Sequence, residues 1–197
     1  FPIAEHWLQK GNSLTFKCLL AQSKIAMYIC STKVTNFLLV TNKKNLNTMK
    51  QIEKIAAGAG YTCISVGKMA ELSEHVLELG PEVKIPGKVF AGAAAGATGA
   101  EFSFQSFPAG TETGFLHTHR THEELYFFLA GEGQMQVDGE IIPVAEGSVV
   151  RVAPAPKRSV RNTGNEPLVM LCIQYKEGSF TAEDAADGKI LAEPVVW

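Results

Sequence analysis

Three of the five histidines sit in one short stretch, at His117, His119 and His122, and Glu123 and Glu124 follow at once. Imidazole nitrogens and carboxylate oxygens are the ligand types that divalent transition metals take from proteins. On an extended strand, residues i and i+2 point to the same side, so His117 and His119 can aim two imidazoles at one point. Beyond Thr121 a second strand-like run begins, with Glu124, Tyr126 and Phe128 on one face and Glu123, Leu125 and Phe127 on the other. If the two runs pair, one glutamate joins the two histidines. The expected chemistry is a divalent metal held on rigid strands.

Strands must position those ligands, and the surrounding pattern supplies them. From Lys84 to Tyr175 the texture is all-β: short alternating runs separated by Gly, Pro and Asp turns. Glu101–Phe107 alternates, and Asp138-Gly139 between Gln134–Val137 and Glu140–Val144 signals a type I′ hairpin. Ser148–Val152, Lys157–Asn162 and Leu168–Tyr175 read as further strands, and Lys88–Ala91 as another. Phe102, Phe104, Phe128 and Leu129 are expected in the barrel core. The glycines of Gly92–Gly99 lack a following Gly-Lys-Ser/Thr and read as a small-residue loop rather than a phosphate cradle.

Ahead of this region, Met49–Ala57 has apolar residues spaced for one helical face, ended by Gly58 and Gly60. Tyr61–Val66 reads as a strand, and Lys68–Leu79 as one or two helical turns. Residues 1–48 differ in texture: six lysines, Glu5 as the lone acid and no sustained apolar period. Such acid-poor, Ser/Thr-bearing segments resemble targeting presequences, but this one has no arginine, and it reads as an extension outside the working domain. The divisions are 1–48, a helix and strand lead-in at 49–83, the barrel at 84–178 and a tail at 179–197. Thr181-Ala182-Glu183-Asp184 marks a short helix start in that tail.

Composition narrows the function class. Hydrophobic residues make up 46% of the 197 and charged residues 19%, with net charge -2 and pI about 6.2. Nothing in that balance asks for nucleic acid. Arg151, Arg158 and Arg161 lack the exposed aromatics of a nucleic-acid surface. No apolar run approaches the roughly 18 residues that span a bilayer. Cys18, Cys30, Cys63 and Cys172 show no C-x-x-C pair, so buried, reduced thiols in a cytoplasmic setting are expected.

These residues resemble the cupins, specifically the small single-domain conserved-barrel (type 2) members. The first cupin motif is His-x-His, a spacer of three or four, Glu, six residues and Gly, with a glycine upstream. Here His117-Thr118-His119 is followed by four residues to Glu124 and six more to Gly131, with Gly110 slightly further upstream than the pattern asks. This spacing favours Glu124 over Glu123. In the second motif Gly147 and Asn162 keep their places, Pro-x-Gly is displaced into Pro154 and Pro156, and the histidine has become Arg158. The resemblance covers roughly residues 84 to 178. It implies a double-stranded β-helix (jelly-roll) barrel with its site inside, and commonly a homodimer.

Arg158 changes the expected chemistry, because the family's histidine supplies the last metal ligand. A +2 and a +1 charge about 6 Å apart repel by roughly 5 kcal/mol at an effective dielectric near 20. Arg158 therefore either holds an anionic ligand beside the metal, pairs with Glu124 in a metal-free barrel, or turns outward. The expected metal ligands are His117, His119 and Glu124, with His122 as the substitute and Fe, Mn, Ni or Zn as the ion. Arg158, Tyr126 and Gln105 are the expected contacts to a small anionic molecule. Oxygenation, isomerisation and decarboxylation stay open, as does a non-catalytic binding role. Glu123, His122 and Tyr126 are the candidate general bases.

Overall fold

The computed structural model describes residues 49–197 apart from Glu82. The reading of residues 1–48, and Cys18 and Cys30 with it, lies outside the described residues.

Two antiparallel sheets form the body. The larger runs β10 (Val149–Val152), β7 (His122–Ala130), β12 (Leu168–Lys176), β6 (Ala100–Phe107), β5 (Lys88–Phe90) in spatial order. The smaller runs β11 (Arg158–Asn162), β8 (Glu132–Val137), β9 (Glu140–Ala145). Turn chemistry fixes their register. Asp138 and Gly139 both take positive φ, 48° and 93°, as a type I′ hairpin requires, and β8 pairs with β9 directly across them. Gly131, the last position of the first motif, takes φ 78°, and a Cβ there would lie 2.4 Å from the Pro167 carbonyl oxygen.

The two sheets bury one apolar cluster between them. Phe107, Tyr126, Phe128, Leu168 and Met170 come from the larger sheet, and Met135, Val144 and Val160 from the smaller. Burying a side chain such as Phe128 contributes about 1.5–3 kcal/mol. A second cluster lies on the other face of the larger sheet. There Phe102, Phe104, Ala130 and Val169 pack against Val66 and Leu72 of the lead-in and against Ala91.

Several local expectations are corrected. Phe102 and Phe104 belong to this outer cluster, because β6 turns Ser103, Gln105 and Phe107 inward instead. Leu129 is 39% exposed: the β7–β12 register skips it between Phe128 and Ala130, and the resulting bulge turns it out. Met49–Ala57 is not helical. Glu53–Ala57 is β1, paired with β2 (Thr62–Ser65). Five residues before a Gly58–Gly60 connection are too few to repay helix nucleation, whereas a hairpin pairs them at once. The one or two helical turns expected over Lys68–Leu79 form as a 3-10 helix, Met69–Glu74, but the rest of that stretch is β3 (Val76–Glu78), which pairs with β4 (Lys84–Pro86). The Gly92 loop contains one helical turn, α1 (Gly92–Ala95). The tail has only a 3-10 turn, Asp184–Ala186. The Thr181–Asp184 cap forms, but every residue there is exposed and no packing extends the turn. Cys63, expected buried, is exposed. No helix among the described residues is long and apolar enough to cross a membrane.

Candidate metal centre

The pleat of β7 puts Glu124, Tyr126 and Phe128 inside the barrel, all buried. The histidine stretch does not pair with β7, as the sequence pattern suggested. It pairs with β11 through a single bridge: the His117 N–H donates to the Arg158 carbonyl (3.3 Å) and the Arg158 N–H to the His117 carbonyl (3.1 Å). The His119 N–H donates to the Pro154 carbonyl (2.9 Å). The segment where the second motif departs from pattern is therefore the one that seats the first motif.

His117, His119 and Glu124 each offer a ligand atom, and these atoms lie within 4.8 Å of one another. His119 Nε2 is 3.1 Å from Glu124 Oε1, and His117 Nε2 is 3.5 Å from Glu124 Oε2. Two donors about 2.1 Å from one ion stand about 3.0–3.4 Å apart at angles from square to tetrahedral. The His119–Glu124 spacing falls within that range, and the His117 spacing, to the other carboxylate oxygen, lies 0.1 Å beyond it. His119 Nε2 is buried with no hydrogen-bond partner among the described residues. A buried imidazole nitrogen without a partner is costly, and a metal ion satisfies it.

Glu124 is also the hub of a protein-only network. Its Oε2 accepts from Tyr126 Oη (2.5 Å) and Arg158 Nε (2.9 Å), and its Oε1 from Gln174 Nε2 (2.9 Å). Burial would raise its pKa, but the adjacent His117 and His119 imidazoles hold the carboxyl well below the usual range. Burial lowers the His117 pKa against the pull of Glu124. Burial, then the Glu124 charge, pushes the Tyr126 phenol well up, so it remains a hydrogen-bond donor.

Arg158 is 0% exposed and points inward. Besides Glu124, its Nη1 donates to the carbonyls of Pro154 (2.9 Å) and Pro156 (2.8 Å). The displaced prolines thus form a carbonyl cradle for the guanidinium. Arg158 does not line the inner cavity, whereas Tyr126 and Gln105 do. The Gln105 Oε1 accepts from Lys88 Nζ (3.1 Å). Two candidate bases stand apart from the ligand cluster. Glu123 faces out and pairs with Arg151, and the His122 ring lies 6.3 Å from that of His119. Arg161 pairs with Gln134, so the three arginines form no common patch.

Three participants were not picked from sequence: Gln174, Cys172 and Lys88. Gln174 was legible as the one inward polar side chain in the apolar run Leu168–Tyr175. Cys172 Sγ approaches Glu124 Oε1 at 3.5 Å, and burial raises its pKa. The cavity beside the centre is small, about 40 Å³, and is lined among others by Lys88, Gln105, His117, Glu124, Tyr126 and Cys172.

Two packed sheets with a histidine–carboxylate centre between them define a double-stranded β-helix barrel with an interior site. The chain belongs to the cupin superfamily, among its type 2 single-domain barrels. The family's cupin-domain model matches residues 103–174. A cupin protein of Bacteroides fragilis of known structure is 36% identical, with TM-score 0.51, over 53% of this chain and 88% of that one. An uncharacterized protein of Methanocaldococcus jannaschii is 40% identical over 68 residues, 34% of this chain and 54% of that protein. An oxalate-binding protein of Thermotoga maritima is 33% identical over 72 residues, 36% of this chain and 59% of that protein. The chain thus spans between half and three fifths of the length of these two curated relatives.

Proposed function

We propose that this barrel binds one divalent transition metal through His117, His119 and Glu124, together with a compact anionic carboxylate beside it. The observation that carries the metal is the buried, unpartnered His119 Nε2 at ligand spacing from the Glu124 carboxylate. The anionic ligand is supported by the likeness to an oxalate-binding protein and by the small polar-ended cavity. His117 and His119 would hold the ion, and Glu124 would offset part of its charge. Arg158 and Gln174 orient the Glu124 carboxylate, and the Tyr126 hydroxyl donates a hydrogen bond to it. A bound metal would supply Lewis-acid polarisation of an oxygen ligand. The homodimer implied by the family and a reducing, cytoplasmic setting belong to the same reading.

A second reading has its own observation. Arg158, Tyr126 and Gln174 already satisfy the Glu124 carboxylate, which suits a metal-free barrel whose centre is structural. Calorimetric titration of chelator-treated protein with Mn²⁺, then with oxalate, separates the two. Saturable 1:1 Mn²⁺ binding that His117→Ala abolishes is the expected result. Absence of binding by Mn²⁺, Fe²⁺, Ni²⁺ and Zn²⁺ would overturn the metal reading in favour of the second.

A further inference from the structure

The inner cavity is lined in part by residues that precede the family match. Leu77, Leu79 and Ile85, from the β3–β4 region, close over it, and Lys88 and Phe90 of β5 form its wall. The register carries this wall into the barrel: Lys88 lies opposite Gln105, and Gln105 opposite Met170. Along the same sheet, Cys172 lies opposite Tyr126, and Gln174 opposite Glu124. One inner face therefore runs from an ammonium at β5 to the histidine–glutamate centre at β7.

Lys88 is set up to receive an anion. An ammonium has three donors. Gln105 Oε1 takes one, at 3.1 Å, and the Phe90 ring centroid lies 5.3 Å from the nitrogen. Among the described residues no carboxylate oxygen lies within the 4.0 Å of an ion pair with Lys88 Nζ. Burial also lowers its pKa, the sign of a cation that lacks full compensation. The apolar cover of Leu77, Leu79 and Ile85 limits water at this end, which strengthens any charge pairing made there.

We propose that Lys88 is a ligand-binding residue that anchors one carboxylate of a compact dicarboxylate whose other carboxylate faces His117 and Glu124. This rests on the proposed anionic ligand class and deepens it, because it requires negative charge at both ends of the molecule. A cavity of about 40 Å³ restricts the ligand to a few heavy atoms. Gln105 is the positioning residue, since its amide oxygen holds the ammonium in the cavity wall.

Calorimetry of Mn²⁺-loaded protein with oxalate, and with acetate as the single-carboxylate control, tests this for wild type, Lys88→Met and Lys88→Arg. Circular dichroism melts check that each variant is folded. Oxalate affinity is expected to fall at least tenfold in Lys88→Met and to recover in part in Lys88→Arg. Acetate affinity should change less than twofold, and Mn²⁺ affinity measured without oxalate should be unchanged. Equal oxalate affinity in wild type and Lys88→Met would overturn the role of Lys88 while leaving the metal and anion reading intact. Mn²⁺ binding without oxalate binding in wild type would overturn both the anion class and the anchor.

Discussion

Glu123 and Glu124 are neighbours on β7, and each meets an arginine, yet the pleat gives them opposite surroundings. Glu124 points inward to Arg158, whose side chain is 0% exposed. Glu123 points outward to Arg151, whose side chain is 53% exposed, and to the Tyr175 hydroxyl. The inner pair has been removed from water and is held by carbonyls, a phenol and an amide. In the outer pair Arg151 keeps its water while Glu123 is 7% exposed, so the contact is partly screened by salt. The same two residue types thus make a site on one face and a half-solvated contact on the other. One residue of register separates the two outcomes.

The comparison predicts a graded series. The largest effect is expected for Arg158→Ala, which leaves Glu124 buried without its cation and should destabilise the apo protein by about 3–5 kcal/mol. Urea denaturation measures it. A loss near that of an exposed pair would mean that Glu124 is not dry. Next is Tyr126→Phe, which removes a hydrogen bond to a charged acceptor and should cost about 1.5–3 kcal/mol with the fold retained.

Acid sharpens the comparison further. Glu124 has its pKa lowered from 4.5 and His117 from 6.5. Each therefore binds fewer protons folded than unfolded, so its stabilisation is complete above the unfolded pKa and is lost as pH falls. Apo-protein stability should decline from about pH 6.5 downward and more steeply below about pH 4.5. Glu124→Gln should flatten the lower part of that profile more than Glu123→Gln does. The smallest effect is expected for Arg151→Ala, about 0–1 kcal/mol and diminishing with added salt.

The barrel was legible because turns and alternation point the same way. Asp138-Gly139 dictates a hairpin, and the spacing of His117, His119, Glu124 and Gly131 fits the family motif. What escaped was set by packing. On β6 both faces read as partly apolar, and only the lead-in, by covering Phe102 and Phe104, forces polar Ser103 and Gln105 inside. Nothing in the spacing of Ile52 and Ile55 reveals that β2 will arrive to pair with Glu53–Ala57. Lys88 reads as an ordinary charged strand end until Leu77 and Ile85 are seen to close over it. The inward turn of Arg158 was one of three arrangements. The carbonyls of Pro154 and Pro156 select it, and a sequence pattern does not show where carbonyls point.

The central claim is that His117, His119 and Glu124 hold a metal. Elemental mass spectrometry on tag-free protein, native and His119→Ala, tests it most directly. The account predicts about one equivalent of Fe, Mn, Ni or Zn in the native chain and its loss in the variant. Metal-free protein in both, persisting after reconstitution with Fe²⁺, Mn²⁺, Ni²⁺ and Zn²⁺, would contradict it and leave the Glu124–Arg158 pair as the barrel's structural centre.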